Sequence, residues 1–202
     1  MPSDLPIVVL GAGQSSRMRG ADKLMQLVDG VPLIRRQAKI ARAATSGKVI
    51  VALPNGPHPR YGALAGLDIQ VLPVPDAAEG MTASLKRGFA AVDGHPAAML
   101  LLADLPELTV GDLREVSGAV DRNGSHLVWR GVTEDGKPGH PIVFAAPLFG
   151  AFAALTGDSG GREVVDAAGD RVHLVPLPGQ RARRDLDTPE DWAQWQAERE
   201  NA

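Results

Sequence analysis

Ile7-Val8-Val9-Leu10-Gly11-Ala12-Gly13-Gln14-Ser15-Ser16-Arg17 is the stretch from which the rest of the chain is best understood. Four aliphatic residues in a row run directly into a loop of small ones. A segment apolar at every position suits a strand buried on both faces. The small residues after it let the backbone come close to a ligand, and they leave N–H groups free for phosphate oxygens. Arg17 and Lys23 follow, a fork of donors and a point charge, a pair that suits a triphosphate. By itself the loop leaves several readings open. A dinucleotide fingerprint needs glycine where Ser16 stands and an acid after the second strand, where the chain has Leu53-Pro54. A Walker A loop needs Gly-Lys-Ser/Thr, which is absent. A tight strand-to-helix turn without a ligand also accounts for these residues.

Further apolar runs at 49–53, 69–73 and 99–103 alternate with helically spaced stretches at 32–44, 80–92 and 110–122. That alternation predicts a mostly parallel sheet covered on both faces. Asp29-Gly30 marks a turn between two apolar stretches. After residue 124 the pattern loosens: strands are expected at 126–130, 141–145 and 171–176, and short helices at 150–155 and 161–168. The polar, Gly-rich residues 131–139 separate the first two of these strands. Thr188-Pro189-Glu190-Asp191 has the form of a helix start, and Trp192 and Trp195 would seal that helix to the body. No internal repeat or low-complexity segment interrupts the chain. The expectation is one three-layer α/β domain over residues 1–202.

Composition narrows the function. A net charge of −3 argues against duplex-DNA binding, which depends on a strong cationic surface. With no cysteine, thiolate metal sites, disulfides and cysteine nucleophiles are excluded. No apolar stretch approaches the ~20 residues of a membrane span. The first apolar run is too short for a signal-peptide core. A soluble cytoplasmic protein, with neither membrane nor nucleic acid as partner, is the expected setting.

The acids are placed where chemistry can use them. The run 99–103 ends on Asp104, and a doubly buried strand puts such a carboxylate at its carboxyl end, the ligand-binding edge of an open α/β sheet. A hard cation such as Mg²⁺ takes one or two carboxylates plus phosphate oxygens. A turn aspartate before Pro106 is the plainer explanation. Alternation places Asp185 and Asp187 on one face of a short strand, although both acids also suit the start of the helix that follows.

Leu10, Ala12, Gly13, Ser15, Arg17, Met18 and Lys23 together resemble the signature loop of the molybdenum cofactor cytidylyltransferase-like (molybdopterin nucleotidyltransferase) family. Five more segments are similar to family motifs, in the same order along the chain. They are Asp104-Leu105-Pro106, Gly80-Met81-Thr82-Ala83-Ser84-Leu85, the acceptor-side pair Gly139-His140-Pro141 and Gly157-Asp158-Ser159-Gly160-Gly161-Arg162, and Asp185-Leu186-Asp187-Thr188-Pro189. The resemblance implies a Rossmann-like fold of the nucleotide-diphospho-sugar transferase type and a Mg²⁺ ion on Asp104 and Asp187. It also implies phosphate charges met by Arg17 and Lys23. Substrate contacts would come from Leu10, Gly11, Ala12, Gly13, Ser15, Gly80 and Ser84, and from His140 and Arg162 on the acceptor side.

The activity so implied is transfer of CMP from CTP to molybdopterin, with release of pyrophosphate. A molybdoenzyme or its chaperone would be the further partner. Asp187 and the two acceptor-side motifs resemble the cytidylyl-transferring branch. The six-residue step from Arg17 to Lys23, with Arg19 inserted, resembles the guanylyl-transferring one. Guanylyl transfer, transfer to a sugar or polyol phosphate, and a non-catalytic carrier of the cofactor are the alternatives.

Overall fold

The computed structural model describes residues 3–157 and 161–201. In chain order, β1 (Ile7–Leu10) leads through the glycine loop to a small antiparallel pair, β2 (Leu27–Val28) and β3 (Val31–Pro32), which turns at Asp29-Gly30. There follow α1 (Leu33–Ala44), β4 (Val49–Pro54), α2 (Pro59–Leu64), β5 (Gln70–Val74), α3 (Met81–Ala90), β6 (Ala97–Leu102) and α4 (Val110–Gly118). The second half contributes β7 (Val128–Val132), β8 (Pro138–Ala145), α5 (Phe149–Ala154), α6 (Arg162–Ala168), β9 (Val172–Pro176) and α7 (Pro189–Glu200).

Seven strands form one sheet in the order β5-β4-β1-β6-β8-β7-β9. All neighbours are parallel except β8, which runs against both β6 and β7. Alternate residues feed two cores, as the two-residue period of a strand requires. Ile7, Val9, Val51 and Leu101 face α1, α4 and α7, whereas Val8, Leu10, Ile50 and Leu100 face α3, α5 and α6. The result is the expected three-layer, mostly parallel, Rossmann-like arrangement.

Local sequence explains the helices. In α1, Leu33, Ile34, Gln37, Ala38, Ile40, Ala41 and Ala44 are buried, a stripe at helical spacing. Thr188 and Asp191 form a reciprocal capping box at the start of α7, with Pro189 in its first turn. Trp192 and Trp195 are buried edge to face, 5.8 Å apart. The expected strand around Asp185–Asp187 is not formed. That segment has no regular secondary structure and pairs with none of the strands of the sheet.

From β1 the chain moves outward through β4 to β5, then returns to place β6 on the other side of β1. The switch point of the sheet therefore falls between β1 and β6, where open α/β sheets bind ligands at the carboxyl ends of their strands. Helix α3 can lie tightly over β1 because residue 88 is glycine. A Cβ there would stand 2.5 Å from Val8 Cγ1. Gly88→Ala should overpack this contact and cost about 1–3 kcal/mol. Urea unfolding of the native chain, Gly88→Ala, Val8→Ala and the double variant should give a double-variant loss smaller than the sum of the single ones. Strict additivity would show that Val8 is not what the new methyl meets.

Candidate active site

The loop after β1 is fixed by a buried arginine. Arg60 of α2, almost wholly enclosed, donates from Nη1 to Gly11 O at 2.6 Å. Its Nε and Nη2 fork onto Asp22 at 2.8 and 2.6 Å, and Nη2 also reaches Ser15 Oγ at 3.3 Å. Burial pushes the Asp22 carboxyl up, but the Arg60 guanidinium outweighs it and holds Asp22 below the usual carboxylate range. Asp22 in turn accepts from Leu24 N and caps the turn that begins at Lys23. Ser15 sits in the left-handed region at φ 53°, and its Oγ accepts from Lys23 N. A non-glycine residue keeps that conformation only where its surroundings enforce it.

Lys23 is the centre of the site. Its Nζ lies 2.6 Å from Asp104 Oδ2 and 2.7 Å from Asp187 Oδ1. Burial would lower its pKa, yet the two carboxylates raise it above the ordinary lysine value. Arg17 pairs with the other oxygen of Asp187 at 2.7 Å, and Arg19 pairs with Glu190 at 2.7 Å, so the glycine loop is pinned to the start of α7. Asp104 lies just past β6, and Gln37 holds that turn by donating Nε2 to Leu105 O at 2.8 Å. Asp187 is steadied through its backbone N–H, which donates to Asp191.

These groups fit a divalent ion. Oxygens of Asp104, Asp185 and Asp187 lie within 4.8 Å of one another. Asp104 Oδ1 is buried with no hydrogen-bond partner, the kind of atom a ligand satisfies. Asp185 has its pKa raised by desolvation and by the carboxylates of Asp187 and Asp104.

A cavity of about 360 Å³ opens over this cluster, and Leu10, Ala12, Gly13, Ser15, Arg17 and Lys23 contribute to one side of it. Gly80, Met81, Ser84, Asp104 and Asp187 contribute to the other. A second hollow of about 560 Å³ lies across the same loop, towards Asn55, His58 and Arg60. Not every expected contact meets the first cavity. Gly11 is buried behind it, its carbonyl committed to Arg60. His140 and Arg162 are not on its wall. Arg162 begins α6 with its side chain exposed, 3.6 Å from Asp166. Asp158, Ser159 and Gly160 of its motif lie outside the described residues. The His140 ring has a buried Nδ1 without a partner, and burial, followed by Arg130, lowers its pKa to about 4 against the pull of Asp104.

Sequence reasoning missed Arg60. The His58-Pro59 start of α2 carries a helix signal, since His58 Nδ1 accepts from Arg60 N and Pro59 occupies the first turn. Nothing in the six-residue helix announces that its arginine turns inward.

The fold and the paired-acid site define a nucleotidyltransferase. Residues 7–172 match the family described as MobA-like NTP transferase domain, and the chain belongs to this family. A probable molybdenum cofactor guanylyltransferase from Natronomonas pharaonis is 29% identical over 193 residues, covering 91% of this chain and 93% of the relative. The molybdenum cofactor guanylyltransferase of Serratia proteamaculans is 28% identical over 208 residues, covering 98% of each. Among solved structures, the Mycobacterium tuberculosis protein Rv0371c matches with a TM-score of 0.81 at 25% identity, over 96% of this chain and 98% of that one. The same protein in complex with manganese matches with a TM-score of 0.78, at 25% identity, over 95% and 97% of the two chains.

Two consequences can be measured. Arg60→Met leaves Asp22 as a partly buried, uncompensated charge and should cost about 3–5 kcal/mol in chemical denaturation. Arg60→Lys should recover only part of that, because an ammonium cannot fork. A loss near zero in Arg60→Met would show that the loop does not depend on this side chain. For His140, a pKa moved from 6.5 to about 4 means that the native ring refuses a proton the unfolded chain accepts. Its contribution to stability is complete above pH 6.5 and drains away as pH falls towards 4. Ring-proton NMR should place its titration midpoint near 4, and a midpoint between 6 and 7 would contradict the enclosure of Nδ1.

Proposed function

We propose that the enzyme transfers a nucleoside monophosphate from an NTP to molybdopterin, with GTP as donor and pyrophosphate as leaving group. The observation that carries this reading is the convergence of Lys23, Asp104 and Asp187 at the mouth of a cavity bordered by a glycine loop. No nucleophile from the protein is required. An oxygen of the acceptor's phosphate attacks the α-phosphorus in line, a new P–O bond forms, and the bond to the β-phosphate breaks with its electron pair leaving on pyrophosphate.

Arg17 and Lys23 exchange their carboxylate partners for oxygens of the triphosphate and stabilise the charge that develops as pyrophosphate departs. Asp104 and Asp187 would hold Mg²⁺, which supplies charge neutralisation at the phosphates. The unpartnered Asp104 Oδ1 and the close neighbouring carboxylates support that choice. Leu10, Ala12, Gly13, Gly80 and Ser84 would contact base and ribose. The dinucleotide product would pass in the cytoplasm to a molybdoenzyme or its chaperone.

GTP is favoured over the CTP expected from the acceptor-side motifs, because the full-length relatives above carry the name guanylyltransferase. The spacing of Arg17 and Lys23 points the same way. CTP remains the second reading on one specific ground. Asp187 stands where guanylyl-transferring relatives usually have asparagine, and here its carboxylate is gripped by both Lys23 and Arg17.

Pyrophosphate release measured with each of the four NTPs, with and without molybdopterin, tests both points. Release should require molybdopterin and a divalent ion. The right donor should lead by roughly tenfold to a hundredfold in kcat/KM, the equivalent of one unmet hydrogen bond in a buried pocket. A ratio favouring CTP would select the second reading. Absence of release with any NTP in the presence of molybdopterin would sink the acceptor assignment.

A further inference from the structure

A hollow of about 240 Å³ lies between the turn after Asp104 and the helix after Asp187, and it shares no residue with the main cavity. Arg36 of α1, Pro106 and Glu107 of that turn, Arg181, and Trp195 and Arg199 of α7 border it. Three arginines thus meet one carboxylate around a small space, and the balance of charge depends on which of them are already paired.

Glu107 is already engaged: its Oε1 accepts from Trp195 Nε1 at 3.0 Å and lies 3.3 Å from Arg184 Nη1. Arg181 pairs with Asp112 at 3.4 Å and Arg199 with Asp29 at 2.7 Å, each through one terminal nitrogen. Arg199 also lies over Trp195, its Cζ 4.7 Å from the ring centroid. Arg36 is the exception. It is half-buried, and among the described residues it has no carboxylate partner. Its Nη1 donates to Leu108 O at 3.3 Å, while Nε and Nη2 have no partner among the described residues and are not sealed in. Burial lowers its pKa; Asp29 opposes this, while Arg199 adds to it. The pairs cancel, and one excess positive charge remains on the wall of the hollow. A half-buried charge without a counter-ion is costly unless an anion joins it.

We infer that this hollow binds a single free phosphate ion, with Arg36 as its principal ligand and Arg181 and Arg199 beside it. Guanidinium groups suit the oxygens of phosphate, and each of these arginines keeps donors that no carboxylate has taken. The volume sets the size of the ligand. About 240 Å³ is below the ~300–1,000 Å³ of pockets that enclose drug-sized molecules, so a nucleotide does not fit. The place gives the ion a consequence. Arg36 and the next residue, Gln37, hold Leu108 O and Leu105 O, the two ends of the turn that follows Asp104. Trp195 and Arg199 belong to the helix whose capping box steadies Asp187. An ion held by Arg36 and Arg199 ties these supports together from outside the main cavity. The site does not rest on the nucleotidyl transfer proposed above.

The test uses the whole chain, titrated with inorganic phosphate at an ionic strength held constant with chloride. The indole N–H signal of Trp195 reports on the hollow. It should shift saturably, and phosphate should raise the melting temperature as its affinity dictates. A shift that chloride alone reproduces, an adventitious ion only, overturns the site. Phosphate also meets the cations of the main cavity, so the titration is repeated in Lys23→Ala. The Trp195 shift should persist there, and its loss would overturn a separate site. Arg36→Gln should weaken phosphate at least ~tenfold, the scale of a charged hydrogen bond. Arg199 is largely exposed, so Arg199→Gln should melt close to the native chain in phosphate-free buffer and guards against misfolding of Arg36→Gln. It should weaken phosphate several-fold. Unchanged affinity in Arg199→Gln, or in a folded Arg36→Gln, overturns the site. Glycerol phosphate, titrated in parallel, should bind more weakly than the free ion, and tighter binding would overturn free phosphate as the occupant.

Discussion

Two ionised carboxylates repel each other unless a cation stands between them, and this constraint organises the molecule around Lys23. Asp104 arrives from the end of β6, Asp187 from the approach to α7, and the ammonium lies 2.6 and 2.7 Å from them. Each member is held from behind by a residue of a different helix. Arg60 fixes Asp22, the residue immediately before Lys23, while Gln37 of α1 holds the turn after Asp104. Asp191, already engaged in the capping box of α7, also accepts from the backbone of Asp187. The sheet supplies only the two strand ends. The contacts behind them determine that three distant segments meet at one point.

The parts of this arrangement legible in the sequence are those in which one local pattern has one physical cause. Apolar runs with no alternation marked β1, β4 and β6 because both of their faces are covered. A run that ends on Asp104 had to end at a ligand-facing edge. Thr188-Pro189-Glu190-Asp191 marked α7 because capping chemistry is local. The strand at 141–145 was visible, but its direction was not. Composition does not encode direction, although the five residues between β7 and β8 are too few for a parallel crossover and signal a hairpin. Asp185 and Asp187 alternate as a strand would, with Leu186 buried between them, yet no edge was available to pair with them. Arg60 stayed hidden because inward rotation of a polar side chain on a short helix depends on partners at residues 11, 15 and 22, and no periodicity records that.

The Gly139-His140-Pro141 segment has a structural part that its backbone, not its histidine ring, carries. His140 looked like the chemical residue of Gly139-His140-Pro141. Its ring is half-buried, with Nδ1 enclosed and the pKa lowered, and it is the backbone around it that connects β7, β8 and the segment leading to Asp185. A glycine whose Cβ would collide with a neighbouring carbonyl is as restrictive as a catalytic group, since no other residue lets the two backbones touch. Such a junction transmits position: displacing Ala182 would move Asp187, five residues on, as well as Arg183 beside it.

The charge balance of the site before any ligand enters shapes what binding must accomplish. Arg17 and Lys23 offset Asp104 and Asp187, and Asp185, the remaining acid, has its pKa raised by desolvation and these same neighbours. The cluster therefore holds its geometry without an external cation, and Arg17, Lys23, Asp104 and Asp187 each already have a partner of opposite sign. On the proposed reading, a triphosphate entering with a divalent ion would exchange partners with this cluster: Asp104 and Asp187 would hold the metal, and Lys23 and Arg17 would turn to phosphate oxygens. The protein's own charges at the centre of the site, Lys23, Asp104 and Asp187, are already partly buried before that exchange, so their desolvation is not a further cost of it. Such preorganisation lowers the reorganisation required at the moment of reaction, which is where electrostatic stabilisation has its effect.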